Sequence, residues 1–267
     1  IRNSKLGRQH FYTKPLVRTK TGTISVSAFI NLFIYEHCLY WILRDRDLQK
    51  NSYQFVIEFG SLFEKYFEEC LMKYVEETNY SRIEEDNSHP RADWILHLMN
   101  HTFIIEQKSS LASLTVKQQE SNIEEIEKYV KRTVLKAMRQ LYKTETETIR
   151  GESIKIILIY EDYSIPEFLD DVFSLPECDI ENDHRYWIVT IDEMERLLYL
   201  YAKDPAKFIA VIDEKYKREN GDILPGDAKR LDTILSMIDN NINHHLEQKH
   251  FKKDENYAEK YLRKMIS

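Results

Sequence analysis

Asp93, Glu106 and Lys108 are the residues whose types and spacing could do chemistry. Glu106 follows Asp93 by thirteen positions and Lys108 follows Glu106 by two. Each acid sits at the far end of a segment rich in strand formers, Ala92 to Leu98 and Thr102 to Lys108, with Asn100 and His101 as turn chemistry between them. Read as a β-hairpin with Leu98 opposite Phe103, the arms place Ile95 opposite Glu106 and Asp93 opposite Lys108. Side chains alternate faces with period two, so Asp93, Glu106 and Lys108 project from one face. Two carboxylates then offer hard oxygen ligands to a divalent cation, and the ammonium beside them can settle a phosphate or orient a water. A purely structural reading makes Glu106 and Lys108 a surface ion pair worth little energy. Placement favours the site: Phe103-Ile104-Ile105 leads straight into Glu106, and a charge entering a buried strand is costly unless it serves something.

In order and spacing these residues resemble the PD-(D/E)XK nuclease superfamily, of the kind found in bacterial defence and restriction effectors. Asp93 matches its first acid, Glu106 its second and Lys108 its lysine, within the stretches RADWIL and FIIEQKSS. Ala92, not proline, precedes the aspartate, and Pro90 lies three residues before it. The resemblance implies an α/β fold: a restriction-endonuclease-like α-β-β-β-α-β core, a mixed sheet flanked by helices. It implies Mg²⁺ as cofactor, with Mn²⁺ able to substitute, held by Asp93, Glu106, the Gln107 backbone carbonyl and Glu64. Glu64, in GSLFEKYFEEC, stands for a helical glutamate that leans over the metal just before the hairpin, so Asp93, Glu106, Lys108 and Glu64 form the expected catalytic set. The bland alternative for Glu64 is solvation beside Glu68 and Glu69. Nucleic-acid contacts are expected from His89, Arg91, Lys117 and Gln140, the last matching a site-facing glutamine of some relatives.

The elements that must position these groups follow from periodicity. Residues 1–22 read as a basic arm, loop or β-excursion, and Ser25 to about Asp47 as a helix with a wide apolar face. A second helix runs from roughly Tyr53 to Glu77, with Phe55, Phe59, Leu62, Phe63, Tyr66, Phe67, Cys70, Leu71 and Tyr74 at helical spacing. Residues 78–91 are polar and read equally as a loop or a decorated first strand. A long charged helix follows the hairpin from about Glu120 to Lys143. Ile154 to Tyr160 is a nearly continuous apolar run, as in a strand covered on both faces. A short helix near Pro166–Phe173 precedes a strand from Tyr186 to Ile191. Asp192-Glu193-Met194-Glu195 then opens a helix with acids at its positive end. This order divides the chain into an N-terminal basic arm and helical addition (1–52), a nuclease core (53–202) and a C-terminal helical segment (203–267) broken near Gly221–Gly226.

Composition bounds the rest. The 267 residues, 42% hydrophobic and 31% charged, describe an ordinary globular chain. A net charge of −7 argues against a generally basic nucleic-acid coat, so DNA affinity must be local or come from a protein partner or homo-oligomer. Lys128, Lys131, Arg132, Lys136 and Arg139 could line such a groove or form a salt-bridged helix face. Cys38, Cys70 and Cys178 show no paired spacing, which fits a reducing cytoplasm and excludes a disulfide framework. The six glycines form no phosphate-cradling loop, and neither a membrane span nor a leader peptide is expected. The opening at Ile1 leaves room for residues upstream. His244, His245 and His250 are spaced poorly for a shared metal and read as a solvated face. The expected function is a cytoplasmic, Mg²⁺-dependent deoxyribonuclease, an endonuclease by analogy, serving an anti-phage defence or restriction complex. Its alternatives are a catalytically silent nuclease-fold scaffold and an RNA-cleaving enzyme.

Overall fold

The structure, a computed structural model, describes residues 16–25, 40, 42–50, 52–84, 90–109, 123–160, 172–181, 183, 185–221, 226–240 and 242–246. These fall into two compact units, one within 1–62 and 112–129, the other within 63–111 and 130–267. In the first unit, strands β1 (Leu16–Arg18) and β2 (Thr23–Ser25) pair antiparallel around Gly22, whose φ of 152° favours glycine. Ser25 is therefore a strand residue and not a helix start. Of the expected helix beyond it, residues 26–39 lie outside the described residues, and 42–48 are helical.

Helix α1 (Gln54–Tyr74) is nearly the predicted helix, ending three residues early. Strand β3 (Tyr80–Arg82) resolves the polar connection as a first strand. The hairpin follows as β4 (Trp94–Leu98) and β5 (His101–Lys108). The long charged helix comes as α2 (Ile123–Val130), a π-turn over Lys131–Leu135, and α3 (Lys136–Thr148). Strands β6 (Ile154–Ile159) and β7 (Tyr186–Thr190) complete a five-stranded sheet ordered β3-β4-β5-β6-β7, antiparallel from β3 to β5 and parallel from β5 to β7. The expected α-β-β-β-α-β order is met by α1, β3, β4, β5, α3 and β6. Helix α4 (Ile191–Lys203) starts one residue earlier than expected, capped by Thr190 and Glu193 in a reciprocal capping box. It is followed by α5 (Pro205–Glu219), α6 (Gly226–Lys229) and α7 (Leu231–Asp239).

Two layers cover the sheet. Trp94, Leu96, Phe103, Ile105, Ile156, Leu158, Trp187 and Val189 bury one face with Phe63, Phe67 and Leu71 of α1 and with apolar residues of α4, α5 and α7. The other face packs on α3, which meets β5 and β6 through the side bearing Ala137, Met138 and Leu141. The C-terminal helices thus share the core of the sheet. At β6, Lys155 is fully buried within the apolar run. Glu145 at 2.8 Å and Asp183 at 2.9 Å compensate its charge, as a buried ammonium requires.

Candidate active site

The hairpin forms with a register two residues away from the one expected. Leu98 pairs with His101 and Leu96 with Phe103, so Trp94 faces Ile105 and Asp93 comes next to Glu106. The turn lies at Met99-Asn100, with Met99 carrying the positive φ of 54°. Asparagine tolerates that conformation well, which had drawn the expected turn onto Asn100 and His101. A slip of two preserves faces where a slip of one would invert them. Asp93, Glu106 and Lys108 therefore still share the face toward α3, and the two acids come closer than expected.

Each member is held from the backbone outward. Ala92 N–H donates to Thr144 Oγ1 of α3 at 2.9 Å, and Asp93 N–H donates to the Ile105 carbonyl at 2.9 Å. Asp93 Oδ2 accepts the Gln107 backbone N–H at 2.6 Å. The Gln107 side chain turns to the opposite layer, where its Oε1 accepts from Trp94 Nε1 at 2.7 Å and its Nε2 donates to the Phe63 carbonyl at 3.3 Å. Lys108 Nζ donates to Glu106 Oε1 and, at 3.2 Å, to Gln140 Oε1. Gln140 Nε2 in turn donates to the Arg91 carbonyl at 3.0 Å. Gln140 is thus fixed between the lysine and the segment entering β4. The π-turn ahead of α3 is the kind of helix irregularity that recurs beside functional sites.

Burial governs the electrostatics of the two acids. Glu106 is 3% exposed, and its Oε2 is buried with no hydrogen-bond partner among the described residues. Burial, with the Asp93 charge adding to it, pushes the Glu106 carboxyl up to about 8 despite Lys108. Burial likewise raises Asp93 to about 6, opposed by the Gln107 N–H and Lys108 and reinforced by Glu64.

Glu64 reaches the rim from the α1 side. Its Oε2 pairs with Arg82 of β3 at 2.6 Å, and Arg82 lies over the Trp94 ring at 5.7 Å. Glu64 is thus near enough to act on Asp93 through its charge, while its hydrogen bond goes to Arg82. Nothing in the sequence singled out Arg82; the one signal was a basic residue inside a segment ambiguous between loop and strand. The Arg91 guanidinium pairs with Glu147 at 3.0 Å. Lys131 and Arg139 are likewise paired, with Glu177 and Asp179. His89 and Lys117 lie outside the described residues. His245, expected on a solvated face, is instead completely buried. Packing against Tyr74 and Tyr66 removes it from water.

No family model and no curated protein matches the chain. Among solved structures it is similar to the small subunit of the heterodimeric restriction endonuclease R.BspD6I, with a TM-score of 0.39 and 15% identity over 71% of this chain and 99% of that one. No helix among the described residues is long and apolar enough to cross a membrane.

Proposed function

We propose that this chain is a divalent-metal-dependent nuclease that hydrolyses phosphodiester bonds in DNA. The observation that carries the reading is Glu106 Oε2, a buried carboxylate oxygen with no hydrogen-bond partner among the described residues, set beside Asp93 and Lys108. Leaving such an oxygen unsatisfied costs on the order of 1–3 kcal/mol, more for a charged group, and a hard cation removes that cost. Asp93 and Glu106 would hold Mg²⁺ or Mn²⁺. The Gln107 carbonyl would join them, because the N–H and C=O of an extended residue leave the strand on the same side and its N–H already meets Asp93. When bound, the cation supplies Lewis acidity toward a phosphate oxygen and a more acidic water.

The chain's own residues do the rest. Lys108, an ammonium with three protons, gives two to Glu106 and Gln140, and the third is available to the scissile phosphate or the attacking water. Gln140 holds that ammonium in place. The Gln107 N–H fixes the Asp93 carboxylate, and Trp94 and Phe63 lock the strand behind it. Glu64 adds negative charge at the rim, where it would complete the metal shell or hold a second ion. The acidic total, net −7, favours a complex in which a partner or second copy contributes DNA affinity, as in restriction or defence assemblies.

The test is cleavage of supercoiled plasmid and of labelled DNA and RNA oligonucleotides with Mg²⁺ or Mn²⁺. Wild type would be compared with Glu106→Ala and Lys108→Ala. Metal-dependent cutting absent from both variants is expected, with the product pattern separating nicking from end-resection. RNA cut in preference to DNA would change the substrate. Neither cutting nor magnesium-dependent stabilisation would make the chain a scaffold.

A further inference from the structure

A second constellation lies on the other layer of the fold, among α1, α4 and the segment 242–246. Cys70, Glu195 and His245 are all buried, and a sulfur, a carboxylate oxygen and a ring nitrogen from them lie within 4.8 Å of one another. We propose that these three residues bind one Zn²⁺ ion that fastens the 242–246 segment to α1 and α4. The donor set is a thiol, an imidazole and a carboxylate, the set zinc accepts and magnesium does not.

The distances suit zinc. Tetrahedral bonds of about 2.3 Å to sulfur and about 2.0 Å to nitrogen put those two ligands roughly 3.5 Å apart. Cys70 Sγ and His245 Nε2 are 3.9 Å apart, within a few tenths of an ångström of that separation. The outer partners are those of a metal site. His245 Nδ1 lies 3.0 Å from the Tyr74 hydroxyl, and the tautomer that donates to it turns the Nε2 lone pair toward Cys70. Glu195 Oε1 accepts from the Tyr66 hydroxyl at 2.5 Å and Oε2 from Asn243 Nδ2 at 2.6 Å. Asn243 Oδ1 also accepts the His245 and Leu246 N–H groups, so one side chain orients both the carboxylate and the histidine-bearing turn. A cation here neutralises a carboxylate and a thiolate that burial would otherwise penalise.

The test uses the full chain, stripped with chelator, reloaded with Zn²⁺ and desalted, with zinc per chain read by elemental analysis. One zinc per chain is expected in wild type and in Glu106→Gln. Cys70→Ser and His245→Gln should hold at least tenfold less at the same free zinc. Cobalt in place of zinc should give wild type a thiolate-to-metal charge-transfer band, which needs no variant to fold. That band should vanish in Cys70→Ser. The proposal is overturned by wild type that retains no zinc, by cobalt spectra without the thiolate band, by undiminished zinc in Cys70→Ser, or by zinc lost in Glu106→Gln alone.

Discussion

Glu106→Gln should make the protein more stable while abolishing its chemistry. The substitution keeps the side chain's shape and removes its charge. In the folded protein, burial and Asp93 lift the Glu106 carboxyl from the usual 4.5 to about 8. The folded state therefore keeps a proton that the unfolded chain has released across that interval. Stability must fall as pH rises from about 4.5 to about 8, and then level off. At about 1.4 kcal/mol per pH unit, the interval between 4.5 and 7 amounts to about 3 kcal/mol at pH 7, and less than about 1 kcal/mol at pH 5. Glutamine avoids this cost. With roughly 2–4 °C per kcal/mol for a chain of this size, the variant should melt about 10 °C above wild type near pH 7–8 in magnesium-free buffer. The gap should nearly close at pH 5.

Magnesium supplies the second half of the experiment. Added at about 100 times its dissociation constant, it should stabilise wild type by about 2.7 kcal/mol, and it should leave the Glu106→Gln melting temperature unmoved. Thermal melts followed by circular dichroism, at four pH values with and without Mg²⁺, read both effects. A variant that melts at or below wild type at pH 8, or a gap that does not change with pH, would refute the idea that Glu106 is a buried charge held ready for a cation.

Three further perturbations separate the roles of neighbouring residues. Lys108→Met should lower the cleavage rate at least a hundredfold, about 2.7 kcal/mol of barrier, while the magnesium-dependent rise in melting temperature persists. A lost rise would make the lysine a support for the acids and not a participant. Gln107→Leu strips partners from Trp94 Nε1 and the Phe63 carbonyl, both buried, and should cost about 1–3 kcal/mol in urea unfolding; a neutral result would mean that water replaces the amide. Lys155→Met removes one of the two cations shared by Glu145 and Asp183, leaving Arg185 to both, and should cost about 1–3 kcal/mol in urea unfolding at pH 7; a neutral result would mean that Arg185 alone compensates the acids.

What the sequence made legible was local. Asp93, Glu106 and Lys108 lie on two arms of one hairpin, so period-two alternation alone puts them on a common face. That inference survived a register error of two because alternation has no memory of even shifts. The turn residue was not legible: Met99 accepts a left-handed conformation that propensity assigns to Asn100. Gln140 was reachable through the family resemblance and not through its own surroundings, since an amide on a charged helix carries no periodic signal. Arg82 was not reachable at all, because its role depends on α1 and β3 meeting at the rim.

The Cys70, Glu195 and His245 cluster shows the limit from the other side. Cys70 and His245 are 175 residues apart, so no spacing rule can join them. Locally each looked ordinary: a cysteine on an apolar helix stripe, an acid just past a helix's first turn, a histidine among polar neighbours. Glu193 does serve the helix start, as the capping residue, and hides by its nearness that Glu195 does something else. The difference is physical. A hairpin site is specified by backbone geometry that neighbouring residues determine, whereas a site between packed helices is specified by tertiary contacts. Zinc retained by wild type and lost with Cys70 would therefore make this a metallo-site that only the fold reveals.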